Sequence, residues 1–225
     1  MNRQWSEENR RMQTQLRRRE TFDAGMDTLL ALREQLMQTL CAFRGELCRE
    51  DFSAMPFPNA NGYHSKTIAY SIWHIFRIED IVAHCVIGKE AQVLSSGGYQ
   101  DRIRSPIITT GNELAGRQIA AFSAQLDLDA LYAYAAEVKE STEALLRSLS
   151  YDALKQKIPP DRRELVQALG VVSSDESAAW LIDFWCGKDV RGLIQMPFSR
   201  HWIMHTEACL RTRAGLQKKK QGTSE

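Results

Sequence analysis

A surplus of charge is nearly absent from this sequence: 29 Lys and Arg face 28 Asp and Glu across 225 residues, for a formal net charge of +1. A chain so balanced carries no broad field for nucleic acid or an anionic membrane, so neither is expected as a partner. Long apolar runs are missing too; none approaches the ~20 residues a helix needs to span a bilayer. The opening MNRQWSEENRRMQTQ holds no apolar segment of the secretory kind. The five cysteines, Cys41, Cys48, Cys85, Cys186 and Cys209, are odd in number, irregularly spaced and never form CxxC. That argues against a disulfide framework or a zinc ribbon and for reduced thiols in a cytoplasm. There is no GxGxxG, no P-loop, no internal repeat and no strand-like alternation. The composition, 44% hydrophobic and 25% charged, is that of an ordinary globular chain long enough to bury a core.

What remains is helical periodicity. Residues 1–20 are polar and Arg-rich, with a thin stripe of Trp5, Met12 and Leu16; they read as a solvated helical extension. Phe22, Met26, Leu29, Leu36, Leu40, Phe43 and Leu47 set one apolar stripe at helical period over 21–48. Residues 51–64 (DFSAMPFPNANGYH) form a loop with His64 near its end. Residues 65–87 predict a second long helix, capped by Ser65 and stopped at Gly88, and apolar around much of its circumference. Thr110 and Glu113 have capping-box spacing for a short helix through Ile119 and Phe122. A third long helix covers 127–149, with Leu131, Ala135 and Val138 on its inner face. Residues 150–195 read as a helical insertion. Within it, Ser173 and Glu176 are spaced to cap an aromatic helix, Glu176–Cys186, that covers the core or packs in a dimer. The last long helix starts near Pro197–Ser199 and reaches about Leu216, before a basic, polar and disordered tail. The domain boundaries expected are an extension (1–20), a helical domain (21–218) and a tail (219–225).

Chemistry concentrates in the last helix. His201 and His205 are four residues apart, which places them on one helical face with Cβ atoms about 5–6 Å apart. They share that face with Phe198, Met204 and Ala208, so they point inward. HxxxH alone is a weak signal. It gains weight from His74, in the middle of the second helix on a face with Thr67, Tyr70, Ser71 and Arg77. Polar groups in a buried helix need partners, so this face is expected to line a polar cavity or a site. Three imidazoles plus an open position is the pattern of a catalytic metal site. Competing schemes fail: Trp202 stands between the histidines where HExxH needs glutamate, and no paired Glu-x-x-His motif exists for a di-iron site. Cys209 lies about 12 Å along the helix from His201 and is assigned to core packing. Asp80 and His84 project from a different face than His74, and Glu79 and Asp80 are read as ion-pair partners for arginines.

The segments SIWHIFRIED, around His74, and PFSRHWIMHTEACLRTR, around His201 and His205, resemble the DinB/YfiT-like family of metalloenzymes. The likeness covers about residues 21–218 and is strongest at those two segments. It implies an all-α, up-down-down-up four-helix bundle with additional short helices, usually a homodimer. It also implies a three-histidine site for a divalent ion, zinc or nickel, with His74, His201 and His205 as ligands. Relatives include S-transferases that use a low-molecular-weight thiol (bacillithiol or mycothiol) and a mycothiol-dependent maleylpyruvate isomerase. No catalytic acid or base carries over.

The function expected is therefore a metal-dependent transferase acting on a small-molecule substrate with a low-molecular-weight thiol. The alternatives are a metal-dependent hydrolase of a small substrate and a non-catalytic, stress-related helical binding protein. Arg77 and Tyr70 are the candidate substrate contacts. An ion pair with a helix carboxylate competes for Arg77, and Tyr70 and Ser71 also stand as groups that orient an imidazole.

Overall fold

The structure, a computed structural model, describes residues 2–222. It is all-helical; among the described residues β pairing is limited to an isolated antiparallel bridge between Lys157 and Asp189. Helix α1 (Arg3–Gln15) is followed by α2 (Phe22–Glu46), α3 (Ile68–Ile81), α4 (Val93–Ser96) and α5 (Tyr99–Ile103). Then come α6 (Arg117–Gln125), α7 (Leu128–Ser148), α8 (Asp161–Ala168), α9 (Glu176–Cys186), α10 (Val190–Gln195) and α11 (His201–Gly222). A π-helical turn, Val82–Ile87, prolongs α3, and another, Met196–Arg200, leads into α11.

Local chemistry sets the helix starts. Thr67 caps α3 by accepting from the Tyr70 amide, Asp127 caps α7 through Ala130, Asp175 caps α9 through Ser177 and Asp189 caps α10 through Gly192. Each side chain satisfies an amide that the helix leaves without a partner. Three of the expected caps are corrected. Ser65 lies in a preceding 3₁₀ turn and bonds Gly62. Thr110 and Glu113 sit in a loop, with Thr110 bonded to Asn112 and Glu113 to Thr109. Ser173 loses the capping position of α9 to Asp175, two residues nearer the helix.

The four long helices contact one another in a closed circuit: α3 packs on α7 and α11, and α2 packs on the same two. Every residue of α3 is buried, which is why it shows no wet stripe. At the centre, the fully buried Arg33 of α2 makes two bonds to Glu79 of α3, at 2.7 and 2.9 Å. It also reaches Glu143 of α7 at 3.2 Å and the Phe198 carbonyl at 3.1 Å. Trp202 of α11 donates to Glu79 at 2.7 Å, and its ring lies 4.5 Å from the guanidinium. One polar knot thus joins all four long helices, with the ionised groups paired as burial demands.

Both ends of the chain depart from expectation. Residues 3–15 are not a solvated extension: α1 packs along α2, and Trp5, Met12 and Leu16 are buried. Each such side chain contributes about 1.5–3 kcal/mol, enough to hold an otherwise polar helix in place. At the other end α11 continues to Gly222, so the expected disordered tail begins as helix; its last residues, 223–225, lie outside the described residues.

Candidate metal centre

The π-helical turn at Met196–Arg200 ends directly before His201 and contacts both α3 and α11. Turns of this kind are frequent at functional sites. His201 and His205 then face His74. The ring centroids are 5.0 Å apart for His74 and His201, 4.8 Å for His74 and His205, and 4.5 Å for His201 and His205. One nitrogen from each ring lies within 4.8 Å of the others. Modest ring rotations would close that set around one ion with bonds of about 2.0–2.1 Å. Among the described residues this is the one cluster of three such groups able to hold a metal ion. All three rings are buried, with 6–7% of their surface exposed.

A loop fixes the orientation of His74. Four side chains of α3 reach four successive carbonyls on the segment 108–111. Arg77 Nε donates to Ile108 at 2.6 Å, and Trp73 Nε1 to Thr109 at 3.2 Å. His74 Nδ1 lies 2.8 Å from the Thr110 oxygen, and the Tyr70 hydroxyl donates to Gly111 at 3.0 Å. A carbonyl only accepts, so His74 Nδ1 carries the proton and Nε2 keeps its lone pair. The Tyr70 ring stacks on the imidazole at 5.5 Å, nearly parallel. Gly111 turns the loop with φ +79°, and a Cβ there would meet the Tyr70 ring at 3.1 Å.

The electrostatics favour neutral rings. Burial drives the His74 pKa down to about 4, against the hydrogen bond to Thr110 and aided by the charge of Lys66. His201 and His205 are also held well below the usual histidine range, chiefly by burial and then by the neighbouring imidazoles. Neutral imidazole is the form that ligates metal. The Nδ1 atoms of His201 and His205 are buried with no hydrogen-bond partner among the described residues. Buried polar nitrogens rarely stay unpaired, and an all-imidazole donor set suits zinc, nickel, copper or iron. The residues present therefore fit a transition-metal ion.

A cavity of about 230 Å³ adjoins the histidines. Its walls are Ile78 of α3, Leu181, Phe184 and Trp185 of α9, and Met196 and Pro197 before α11, with Trp180 half-exposed at the edge. Asn112 is the polar group across from the imidazoles. Its side-chain amide donates to the Ser177 carbonyl at 3.4 Å, and its own carbonyl accepts from the Ser177 hydroxyl at 3.2 Å. The loop that holds His74 thus also holds the start of α9.

Not every expected site residue arrives here. Arg77 lies outside the lining of the histidine cavity: besides Ile108 it bonds Asp80 at 3.2 Å and Gln92. Its guanidinium is consumed inside the protein, as the ion-pair reading required. Tyr70 is brought to the site, but against the His74 ring and the loop rather than the cavity. Ser71 bonds the Thr67 carbonyl, and Cys209 is buried in the core with its thiol pushed up to about 12 by burial. His64 stays outside the three-nitrogen cluster; its ring packs on Tyr63, which in turn lies 5.6 Å from His205. His84 pairs with Asp80 at 2.8 Å. Sequence reading missed Asn112 and Thr110. Thr110 contributes a backbone carbonyl, which no side-chain pattern records.

No model of a known protein family matches the chain, and no curated protein matches it.

Proposed function

We propose that the chain is a metal-dependent enzyme in which His74, His201 and His205 hold a divalent ion, zinc or nickel. The observation that carries this reading is the convergence of three buried, neutral imidazoles beside a cavity, with two of their nitrogens lacking a partner among the described residues. The closed circuit of α2, α3, α7 and α11 supports the up-down-down-up four-helix bundle of the DinB-like family as its architecture. The favoured reaction is S-transfer from a low-molecular-weight thiol, in a cytoplasmic homodimer.

When bound, a divalent ion at such a site lowers the pKa of a thiol or water that it coordinates. The protein's own groups do the rest. Thr110 and the Tyr70 ring hold His74 with its Nε2 free. The apolar walls keep bulk water away from the histidines, which strengthens electrostatic interactions within the cavity. Asn112 can bond a substrate's polar end through its side-chain amide. Among the described residues none that lines the cavity is a carboxylate, lysine or arginine. With the three imidazoles committed to the ion, the lining offers no general base, which favours a thiol, more acidic than water and deprotonated by coordination itself, over hydrolysis.

The test is metal analysis of protein purified without a histidine tag, followed by product analysis with and without added thiol. Near-stoichiometric divalent metal is expected, with uptake abolished in His74→Ala and His205→Ala and turnover dependent on thiol. Thiol-independent turnover would favour hydrolysis. Absence of metal, with uptake unchanged in both variants, would leave a non-catalytic helical protein.

A further inference from the structure

We propose that the substrate taken by this cavity is a small uncharged molecule with an aromatic or compact apolar body, seated against α9 with its polar end toward the imidazoles. This rests on the metal-centre reading for the role of the polar end, but the choice of body follows from the walls alone.

Among the described residues the walls contain no charged side chain, and besides the histidines and the indole N–H groups of Trp180 and Trp185 their polar group is Asn112. Against α9, away from the imidazoles and any ion they hold, an anionic group would be stripped of water with no cation beside it to pair it. An apolar ring meets no such penalty. The size also fits: a cavity of about 150 Å³ lined by aliphatic and aromatic side chains suffices for benzene, and this one holds about 230 Å³. The excess leaves room for a short arm and its donor atom.

Trp180 is the second observation. Half of its surface is exposed, an unusual position for so large an apolar group. It is nevertheless held in place: its ring makes an edge contact with Phe184 at 5.8 Å, and its Nε1 donates to the Ser177 carbonyl at 2.9 Å. An indole braced at the edge of an apolar cavity offers its free face to a ring entering there. The aromatic helix α9, which its sequence predicts to cover the core or pack in a dimer, is on this view the wall that selects the substrate.

The test is calorimetric titration of the zinc-loaded protein with phenylmethanethiol and with 2-mercaptoethanesulfonate, which carry the same donor atom on an apolar ring and on an anionic body. Phenylmethanethiol is expected to bind about tenfold tighter or more, the value of burying a few apolar carbons. Trp180→Ala should reduce that preference severalfold at unchanged zinc content, and Trp180→Phe should restore it. If Trp180→Ala does not fold, Phe184→Leu serves in its place, with the same loss expected. Equal binding of the two thiols, or a preference untouched by either variant, overturns the proposal while leaving the metal reading intact. If the protein takes up no zinc, the metal reading fails instead. The cavity is then judged by saturation-transfer resonance with toluene: transfer that Trp180→Ala abolishes supports an apolar ligand, and no transfer to the wild-type protein overturns it.

Discussion

His74 Nδ1 lies 2.8 Å from the carbonyl oxygen of Thr110, and through that bond a loop of the protein decides which nitrogen of the ring faces its two partner histidines. The neighbouring side chains of α3 do the same for the neighbouring carbonyls, so the loop and the helix form one unit. A ring held by its far nitrogen keeps the near one aimed, as in many metal sites.

Gly111 is where this unit is most easily disturbed. Its φ of +79° suits glycine, and an added methyl would press on the Tyr70 ring. Gly111→Ala is expected to destabilise the fold by about 1–3 kcal/mol and to weaken zinc binding by about 10–100-fold. Thermal melting and competition with a chelator read the two effects. An unchanged zinc affinity in a folded variant would show that the loop does not orient His74.

The Arg33–Glu79 pair should behave as a buried charge pair. Arg33→Met alone or Glu79→Gln alone leaves a partner stranded and is expected to cost about 3–5 kcal/mol. The double variant should cost clearly less than the sum. Urea denaturation of the four proteins gives the cycle; strict additivity would mean the two groups do not interact.

Asp80 and His84 predict a pH dependence of stability. Burial alone would raise the Asp80 pKa, but the His84 hydrogen bond, the Arg77 charge and the Leu94 amide hold it below the ordinary 3.8. Burial alone would lower that of His84, but Asp80 holds it above the ordinary 6.5. The Asp80 contribution is therefore complete above pH 3.8 and lost as the pH falls through its depressed value. The His84 contribution is complete below pH 6.5 and lost as the pH rises through its raised value. His84→Gln should flatten the decline in stability that sets in as the pH rises above 6.5. Parallel stability curves for variant and wild type would sink this assignment.

Helix α1 should prove integral to the fold. Leu16 is fully buried against Gly25, whose missing side chain lets the two segments meet. Leu16→Ala is expected to cost about 2–5 kcal/mol, seen as a lower denaturation midpoint with an unchanged slope. A frayed terminus would show no change.

Periodicity and residue type made the helical class, the long helices and the three histidines legible in the sequence, because helical spacing places i and i+4 residues on one face whatever surrounds them. It was also enough to assign Glu79 and Asp80 to arginines, since a carboxylate in an apolar helix has to be paired. Tertiary structure alone decided the rest. It gave Arg77 to loop carbonyls, Asp80 and Gln92, and it buried α1, whose few apolar side chains become decisive only against α2. It also made α9 a wall of the histidine cavity. Those outcomes depend on backbone carbonyls and on surfaces that meet only once the chain has folded, and neither leaves a pattern along the chain. His74 illustrates the division: its residue type and helical face are written in the sequence, while the direction of its lone pair is set by the carbonyl of Thr110.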